Sequence, residues 1–369
     1  MAEIDSQKRD PRTDLKTDII EQFGTPCAVV DLDFVDRNIA HVQALCDKAD
    51  RANRPHIKTH KSPFLARRQI AAGAIGITCQ KLGEAEVMAD AGITDILIAT
   101  NIIGAARSGR LAALQRRLPL KICADNPVSL AAYAEAGRVA ERPVRVLVEC
   151  DTGQKRAGVE TPGEAVALAR MVRDDPALDF GGLLFYPPLD GWAATQRFLD
   201  VARAGLADLG IVPDIISTGG TPNLANMGHL DGATEHRAGT CIFNDRMMMA
   251  TGFAGVEDCA LRIFTSVVSR AGAARGILDA GSKTFTSDTG GLDGFGLILE
   301  HPQARIHKMA EEHGFLDLSD CEDKPDIGDI LQVIPNHVCV AVNMVDQLVA
   351  VRGNSIVDVL PVAARGRLV

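Results

Sequence analysis

The sequence predicts an α/β fold: a (β/α)₈ TIM barrel followed by a smaller, mostly β domain. Up to about residue 256, eight short apolar runs alternate with amphipathic stretches of helical length. Each run is almost continuously apolar, which is typical of parallel strands that are buried on both faces. Beyond residue 256 the pattern changes to short strand-like segments with few helical stretches, which indicates a second domain.

The barrel prediction depends on the order of these elements. The predicted strands are residues 27–33, 56–60, 74–79, 95–100, 120–125, 145–151, 181–186 and 214–217. The predicted helices between them include residues 34–49, 81–91, 128–141 and 163–173. An open doubly wound sheet is the alternative, with less support because no Gly-x-Gly-x-x-Gly turn follows the first strand.

The remaining segments flank the barrel. A short helix is predicted over residues 14–23, where it ends at Gly24. The barrel domain is predicted to span residues 24–256 and the β domain residues 257–369. Strands of the β domain are predicted at residues 261–269, 274–279, 330–334, 337–342 and 347–351.

Composition and charge exclude several classes of protein. Hydrophobic residues make up 46% and charged residues 24%, an ordinary globular balance. The net charge of −9 argues against a nucleic-acid or membrane partner, because such surfaces are basic. No apolar run reaches membrane-spanning length, and residues 1–16 are too polar for a secretory signal. The nine scattered cysteines predict buried free thiols and a cytoplasmic location.

The stretch Arg54-Pro-His-Ile-Lys-Thr-His-Lys61 contains the candidate nucleophile. Side chains alternate along a strand, so His56, Lys58 and His60 are predicted to share one face. A lysine among apolar strand ends is desolvated, which lowers its pKa and frees the amine for a Schiff base with pyridoxal phosphate. Two alternatives stay open here: a solvated surface lysine, and Lys61 as the reactive residue.

Ser217-Thr-Gly-Gly-Thr-Pro222 is a candidate phosphate-binding loop. Gly219 and Gly220 let the backbone approach a ligand closely, while amides and the hydroxyls of Ser217 and Thr221 supply hydrogen-bond donors. The last strands of such barrels often bind phosphate. For the motif alone, an ordinary tight turn is the alternative.

Active sites of these barrels lie at the C-terminal ends of the strands. Lys58, Arg156, Tyr186 and Ser217 each stand at or just after the end of a different predicted strand. These residues are distant in sequence, and the barrel therefore predicts that they converge at one mouth.

His337-Val-Cys339 is the candidate metal site. On a strand, this spacing places the imidazole and the thiol on one face. Nitrogen and sulfur ligands suit Zn²⁺, and two protein ligands leave positions for water and substrate, as in catalytic sites. A buried histidine beside a buried cysteine is the alternative.

Together these segments resemble the D-threonine aldolase and D-serine dehydratase family, pyridoxal phosphate enzymes of fold type III that are relatives of alanine racemase. The resemblance runs from about Thr25 to the C-terminus and includes the stretches 25–38 and 79–86. Its most specific parts are residues 54–61, 217–222, 278–283 and 335–339. It implies that residues 1–23 join the β domain.

The resemblance also implies roles for individual residues. Lys58 is the lysine that binds pyridoxal phosphate, and Arg156 faces the pyridine nitrogen, to which it cannot donate a proton. The segment 237–241 is similar to the family's second phosphate-binding segment. The implied cofactor-binding set is Lys58, Arg156, Tyr186, Ser217, Gly219, Gly220, Thr221, Gly239, Thr240 and Cys241.

Three features depart from the family pattern or have no derived role. Cys241 stands where the family often has tyrosine. The loop 186–192 reads Tyr-Pro-Pro-Leu-Asp-Gly-Trp, where many relatives have a glycine and then Gln-His, so substrate specificity is expected to differ. His313 is a further family-like polar residue, and no role for it follows from the sequence.

For His337 and Cys339 the resemblance implies a divalent metal, Zn²⁺, Mn²⁺ or Mg²⁺. The aldolases tend to have His-x-Asp at this position and the dehydratases His-x-Cys. A homodimer with shared active sites is also implied.

The predicted function is a pyridoxal phosphate- and metal-dependent lyase that acts on a β-hydroxy-D-amino acid, with retro-aldol cleavage to glycine and an aldehyde. The stretch 79–104 favours this reaction, because it looks most like the D-threonine and 3-hydroxy-D-aspartate aldolases. The alternative is a D-serine or D-threo-3-hydroxyaspartate dehydratase that forms a 2-oxo acid and ammonia, which Cys339 favours.

Two remoter alternatives belong to other classes. A non-catalytic pyridoxal phosphate carrier would lack the β domain and the metal pair. A phosphate-sugar barrel enzyme without the cofactor would leave Lys58 unexplained.

Overall fold

A computed structural model describes residues 15–369, which form two compact units. The barrel unit contains residues 36–242, 250–253 and 362–369, and the β unit contains residues 15–35, 243–249 and 254–361. Of the predicted N-terminal segment, residues 1–14 lie outside the described part. The domain limits predicted at residues 24 and 256 stay a prediction. None of the helices in the described range is long and apolar enough to cross a membrane.

The barrel unit contains eight parallel strands, which confirms the predicted fold class. Numbered in chain order over both units, these are β2 (Ala52–Asn53), β3 (Ile77–Cys79), β4 (Ile96–Ile98), β5 (Leu120–Ala124), β6 (Val144–Cys150), β7 (Leu178–Phe185), β8 (Ile215–Gly219) and β9 (Glu235–Arg237). The helices are α2 (Leu32–Lys48), α3 (Pro63–Ala71), α4 (Leu82–Asp90), α5 (Ala105–Arg117), α6 (Pro127–Ala140), α7 (Pro162–Asp174) and α8 (Trp192–Asp208).

The strands follow the order β2-β9-β8-β7-β6-β5-β4-β3 and then close on themselves. At the seam, the Ile75 amide donates to the Asn53 carbonyl at 2.9 Å, and the Thr78 amide donates to the Pro55 carbonyl at 2.8 Å. The interior is a compact layer, because alternate residues of neighbouring strands point inward. This layer consists of Leu97, Cys123, Leu147 and Leu184.

The assignment of one barrel strand was wrong. The apolar run predicted as the first strand forms β1 (Cys27–Asp31), which belongs to the sheet of the β unit. The missing strand is β9, whose sequence Glu-His-Arg gave no apolar signal. Its charges are nevertheless buried, because Glu235 accepts a hydrogen bond from Arg54 Nε at 2.7 Å.

The β unit is built on a nine-stranded sheet with the order β13-β14-β11-β10-β1-β16-β17, and β15 pairs with β10 and with β12. Besides β1, its strands are β10 (Leu261–Ala271), β11 (Arg275–Leu278), β12 (Leu297–Ile298), β13 (Arg305–Met309), β14 (Gly314–Asp317), β15 (Ile330–Ile334), β16 (Gln347–Arg352) and β17 (Ser355–Pro361). Its helices are α1 (Leu15–Phe23), α9 (Arg246–Ala250), α10 (Ser282–Phe285) and α11 (Val338–Met344).

The centre of this sheet explains why β1 was misassigned. β1 runs antiparallel to β10 and parallel to β16, so it has a partner strand on both sides. Its residues Cys27 and Val29 pack against α1 in one apolar cluster with Ile19, Phe264, Val349 and Val351. A central strand of a mixed sheet is as continuously apolar as a barrel strand, and composition alone does not separate the two.

Candidate active site

The Lys58 segment lies just beyond β2 and is not a strand, contrary to the prediction. Ile57–Thr59 forms a turn of 3₁₀ helix that His56 begins, with the Lys58 amide donating to His56 Nδ1 at 3.4 Å. In a 3₁₀ helix side chains three residues apart eclipse, so the predicted shared face of His56, Lys58 and His60 does not exist.

The neighbours of Lys58 are all held by partners from elsewhere in the barrel unit. His56 Nε2 lies 3.1 Å from Gln80 Oε1, and His60 Nε2 lies 3.1 Å from Gln69 Oε1. Lys61 Nζ forms a buried ion pair with Glu84 Oε1 at 2.6 Å. Between residues 53 and 62, Lys58 alone is not buried.

Burial also keeps the two histidines neutral. It lowers the pKa of His60 to about 4, although the bonds with Gln69 and Ser62 oppose the shift. Burial also lowers the pKa of His56 well below its ordinary value, and the nearby charges of Lys58, Arg237 and Arg156 add to that shift. A neutral His56 whose Nδ1 accepts from Lys58 carries its proton on Nε2, which then donates to Gln80. Since the two histidines are neutral, the positive charges at this turn are those of Lys58, Arg237 and Arg156, which suit an anionic ligand.

Two glycines allow close approach at this mouth. Gly239 packs on the lysine turn, where an added Cβ would lie 2.9 Å from the His56 carbonyl oxygen. Gly220 has φ +105°, and an added Cβ would lie 3.0 Å from the ring of Tyr186. The predicted loop and the segment 237–241 thus come together beside the lysine turn.

Several groups that were predicted to donate hydrogen bonds to a phosphate already form hydrogen bonds within the protein. Ser217 Oγ donates to Glu235 Oε1 at 2.6 Å and accepts from Arg237, and Gly220 N donates to the Arg237 carbonyl at 2.8 Å. The Cys241 amide donates to Thr221 Oγ1 at 3.2 Å. These bonds leave the amides of Thr221 and Gly239 as the better candidates for binding a phosphate.

Ser217 is one member of a buried polar column inside the barrel, which sequence reasoning missed. Its members are linked successively by ion pairs or hydrogen bonds, and Arg237 also donates to the Phe185 carbonyl at 3.0 Å. In order, its buried members are Arg54, Glu235, Ser217 and Arg237, and from Arg54 the column extends outward to the half-buried Asp95 and Lys121. The spacing of Glu235 and Arg237, two apart on one strand, was the available signal.

Arg156 and Tyr186 meet at the same mouth. The Arg156 guanidinium lies over the Tyr186 ring, 5.0 Å from its centroid, in a cation–π contact. The loop that follows Tyr186 is fixed at the Pro187 carbonyl, which accepts from Gln154 Nε2 at 3.3 Å and from Asn223 Nδ2 at 2.8 Å. The predicted convergence in the barrel unit is therefore present, whereas the roles of its members stay predictions.

The metal candidates lie in the β unit, and they are not on a strand as predicted. β15 ends at Ile334, and His337 is the N-cap residue of α11, which contains Cys339 in its first turn. The two side chains nevertheless interact, because an extended cap residue turns its side chain back toward the helix start. His313, by contrast, is exposed in the turn between β13 and β14.

Asp245, a further residue that the sequence did not reveal, holds His337. Its Oδ2 lies 3.0 Å from His337 Nδ1 and accepts from the Val338 amide at 3.1 Å. Burial lowers the pKa of His337, but the contacts with Asp245 and Cys339 outweigh it and raise the pKa to about 10. Within residues 15–369 no group of three or more histidine, cysteine, aspartate or glutamate side chains is arranged to bind a metal.

Each unit fits one of the groups implied by the resemblance. The barrel mouth combines a lysine amine, cationic neighbours and backbone amides at glycines, which suits pyridoxal phosphate. In the β unit, an imidazole whose Nδ1 faces a carboxylate stands beside a thiol, a donor set that suits Zn²⁺ or a similar ion.

Two family profiles match the chain. The alanine racemase N-terminal domain matches residues 30–247, and the serine dehydratase domain matches residues 260–351. The chain is 34% identical over 363 residues to D-threonine aldolase of Arthrobacter sp., which covers 95% of this chain and 94% of that protein. It is 33% identical to D-threo-3-hydroxyaspartate dehydratase of Delftia sp. strain HT23 (87% and 92%). It is 30% identical to 3-hydroxy-D-aspartate aldolase of Paracoccus denitrificans strain Pd 1222 (94% and 93%).

Solved structures give the same relationship. D-threonine aldolase from Filomicrobium marinum superposes with a TM-score of 0.88 at 31% identity, covering 94% of this chain and 96% of that chain. D-threo-3-hydroxyaspartate dehydratase from Delftia sp. HT23 superposes with a TM-score of 0.82 at 30% identity, covering 95% and 99%. Structures of that dehydratase include a cysteine-to-alanine variant in the metal-free form and a variant in which the histidine two positions earlier is alanine.

The likeness therefore extends over both units, and family membership supports pyridoxal phosphate as the cofactor. On this basis, the chain belongs to the D-threonine aldolase and D-serine dehydratase family, whose barrel is the alanine racemase N-terminal domain.

Proposed function

We propose that this chain is a pyridoxal phosphate-dependent lyase that cleaves a β-hydroxy-D-amino acid between Cα and Cβ, giving glycine and an aldehyde. Two relatives at 34% and 30% identity are a D-threonine aldolase and a 3-hydroxy-D-aspartate aldolase. The observation that carries the proposal is the Lys58 turn, where every flanking polar side chain is paired and one lysine is left accessible.

In the barrel unit, the chain's own residues attach and orient the cofactor. Lys58 supplies the amine for covalent attachment, and the amides of Thr221 and Gly239 bind the phosphate. Arg156 would place a positive charge beside the pyridine ring of the cofactor. Its cation–π contact with Tyr186 keeps the guanidinium in position. Once bound, pyridoxal phosphate stabilises negative charge at Cα of an amino-acid substrate.

In the β unit, His337 and Cys339 bind a divalent metal, in keeping with the predicted Zn²⁺, Mn²⁺ or Mg²⁺. A metal bound here would act as a Lewis acid and lower the pKa of the substrate's β-hydroxyl. The two protein ligands leave coordination positions for substrate and water. The proposal also retains the predicted homodimer and cytoplasmic location, which sedimentation and cell fractionation would test.

A dehydratase is the second candidate, and Cys339 is the specific observation that favours it. In the dehydratase relative, the residues changed in the two solved variants are a histidine and a cysteine with the spacing of His337 and Cys339. A thiolate donates more charge to a metal than a carboxylate does, which makes the metal weaker at ionising a hydroxyl. We place cleavage first because the D-threonine aldolase is 34% identical over 95% of the chain, against 33% over 87% for the dehydratase, and the solved aldolase has the higher TM-score, 0.88 against 0.82.

A product assay separates the two reactions. Purified holoenzyme is incubated with D-threonine, D-serine and both diastereomers of D-3-hydroxyaspartate, and glycine, ammonia and 2-oxo acids are measured. We expect glycine and an aldehyde from at least one substrate and none from Lys58→Ala. Ammonia with a 2-oxo acid, and no glycine from any substrate, would replace the aldolase with the dehydratase.

A further inference from the structure

Asp245 has an unusual set of contacts for a carboxylate that is completely buried. Its Oδ1 accepts from the Met248 amide at 2.9 Å, which caps the start of α9. Its Oδ2 accepts two hydrogen bonds from the start of α11, one from His337 Nδ1 at 3.0 Å and one from the Val338 amide at 3.1 Å. The carboxylate thus joins segment 243–249 to the start of α11 within the β unit.

These contacts determine how the His337 ring is presented. An ionised carboxylate is only an acceptor, so the ring nitrogen that faces it carries a proton. Because Asp245 holds the proton on Nδ1, Nε2 is the nitrogen that gives up its proton when a metal binds. The bond to the Val338 amide fixes the carboxylate relative to the backbone beside His337, and the ring therefore has one orientation.

A neighbouring set of contacts makes this arrangement rigid. Asn336 is buried, and its Oδ1 accepts from Arg246 Nη1 at 2.7 Å, while its Nδ2 donates to the Gly294 carbonyl at 2.8 Å. The Met247 amide also donates to the Asn336 carbonyl at 3.2 Å. The residues on both sides of the Asp245–His337 contact are therefore tied to each other independently of it.

We propose that Asp245 is the positioning residue of the metal site, which fixes His337 with Nε2 directed to a divalent cation. This inference rests on the proposed function, because it takes His337 and Cys339 to be the metal ligands. Carboxylates that hold a ligating histidine typically contribute 10- to 100-fold to metal affinity. The same contribution is expected here, separate from the role of Asp245 in capping α9.

The variant Asp245→Ser separates the two roles. Serine is also a good N-cap residue, so its hydroxyl keeps the bond to the Met248 amide. Its side chain is too short to reach His337, and the ring loses its partner. Asp317→Ser is the control for the substitution itself, because Asp317 is half-buried at the end of β14 and also accepts a backbone hydrogen bond, from the Ser319 amide at 3.0 Å.

The measurement is the dissociation constant of Zn²⁺ for the purified cofactor-loaded protein, in competition with a chromogenic chelator. We expect Asp245→Ser to weaken binding about 10- to 100-fold, Asp317→Ser to leave it unchanged, and His337→Ala to abolish it. Unchanged affinity in folded Asp245→Ser, with loss in His337→Ala, overturns the positioning role and leaves the proposed function standing. Absence of Zn²⁺, Mn²⁺ and Mg²⁺ binding by the unmodified protein overturns both the metal assignment and this inference.

A second measurement needs no variant, so it holds if Asp245→Ser does not fold. The Zn²⁺-loaded protein labelled with ¹⁵N-histidine is compared with the metal-free protein by long-range ¹H–¹⁵N spectroscopy. We expect one histidine to be coordinated through Nε2 with Nδ1 protonated. Coordination through Nδ1 would overturn the inference, since that nitrogen would then not face Asp245.

Discussion

The Lys58 turn of the barrel unit and the His337 cap of the β unit both hold side chains through hydrogen bonds and ion pairs, but they hold different ones. In the first, His56, His60 and Lys61 are each paired, while the functional lysine is not buried. In the second, the functional histidine is itself held, by Asp245. A nucleophile must be able to move and react, whereas a metal ligand must stay in one orientation. In the barrel unit the residues around Lys58 are held in place, whereas in the β unit the functional residue His337 is itself held in place.

The largest effect is expected at the residue that the barrel unit leaves accessible. Lys58→Ala should lower turnover by at least about 10³-fold, because the attachment point of the cofactor is lost. The fold should be retained, since the side chain is only half-buried. Turnover and the visible absorbance of the bound cofactor are the measurements. Retention of that absorbance, with its loss in a folded Lys61 variant, would move the assignment to Lys61.

Substitution of Lys61 is expected to lower the stability of the fold and not to remove a catalytic group. Lys61→Met leaves Glu84 ionised and without its cation in a buried site, which should cost about 3–5 kcal/mol of unfolding free energy. Urea unfolding of the variant measures this. The double variant Lys61→Met/Glu84→Gln should recover part of the loss. A single variant as stable as the unmodified protein would mean that the pair does not hold the lysine turn.

Removal of the metal should affect only the part of catalysis that depends on the β unit. Exhaustive chelation is expected to lower activity by at least about 100-fold and leave the cofactor bound, because different residues hold the two groups. His337→Ala and Cys339→Ala should behave like chelated enzyme, and Zn²⁺ or Mn²⁺ should restore only the unmodified protein. If elemental analysis finds active, pure protein without any divalent ion, the pair is only part of the packing.

The smallest expected effect is on pH dependence. The pKa of His60 is about 4 in the folded state, below its ordinary value of 6.5, so the unfolded chain binds this proton first as the pH falls. Unfolding free energy should therefore be fully present above about pH 6.5 and decrease toward pH 4, by roughly 1–3 kcal/mol from this residue. In urea titrations at several pH values, His60→Gln should flatten this slope. An equal slope in the variant would show that His60 is not the group responsible.

The sequence predicted regular elements well where a pattern is local. Predicted strand 330–334 coincides with β15, and predicted helix 163–173 lies within one residue of α7 (Pro162–Asp174) at each end. It could not distinguish β1 from a barrel strand, because both are apolar and buried on two faces. It also missed β9, since the partners that neutralise Glu235 and Arg237 are distant in sequence.

The site was predicted by residue type more reliably than by geometry. Lys58 and the pair His337 and Cys339 were selected from motifs, yet strand alternation was the wrong geometry for both segments. A 3₁₀ turn and a helix cap are held by side chains such as His56 and Asp245, whose bonds to Gln80 and to the Val338 amide cross between segments. Such bonds leave no periodic signal.

The buried polar column in the barrel has a consequence for how this protein can evolve or be redesigned. A neutral replacement of Arg54 alone removes the direct ion pair of Glu235 in the barrel interior, at a cost of about 3–5 kcal/mol, while replacement of Glu235 alone leaves Arg54 only the half-buried Asp95 as a counterion. Most single substitutions there would be eliminated before any paired change could arise. Homologues are therefore expected to keep both residues or to have exchanged both, and a mutant library should vary the two positions together.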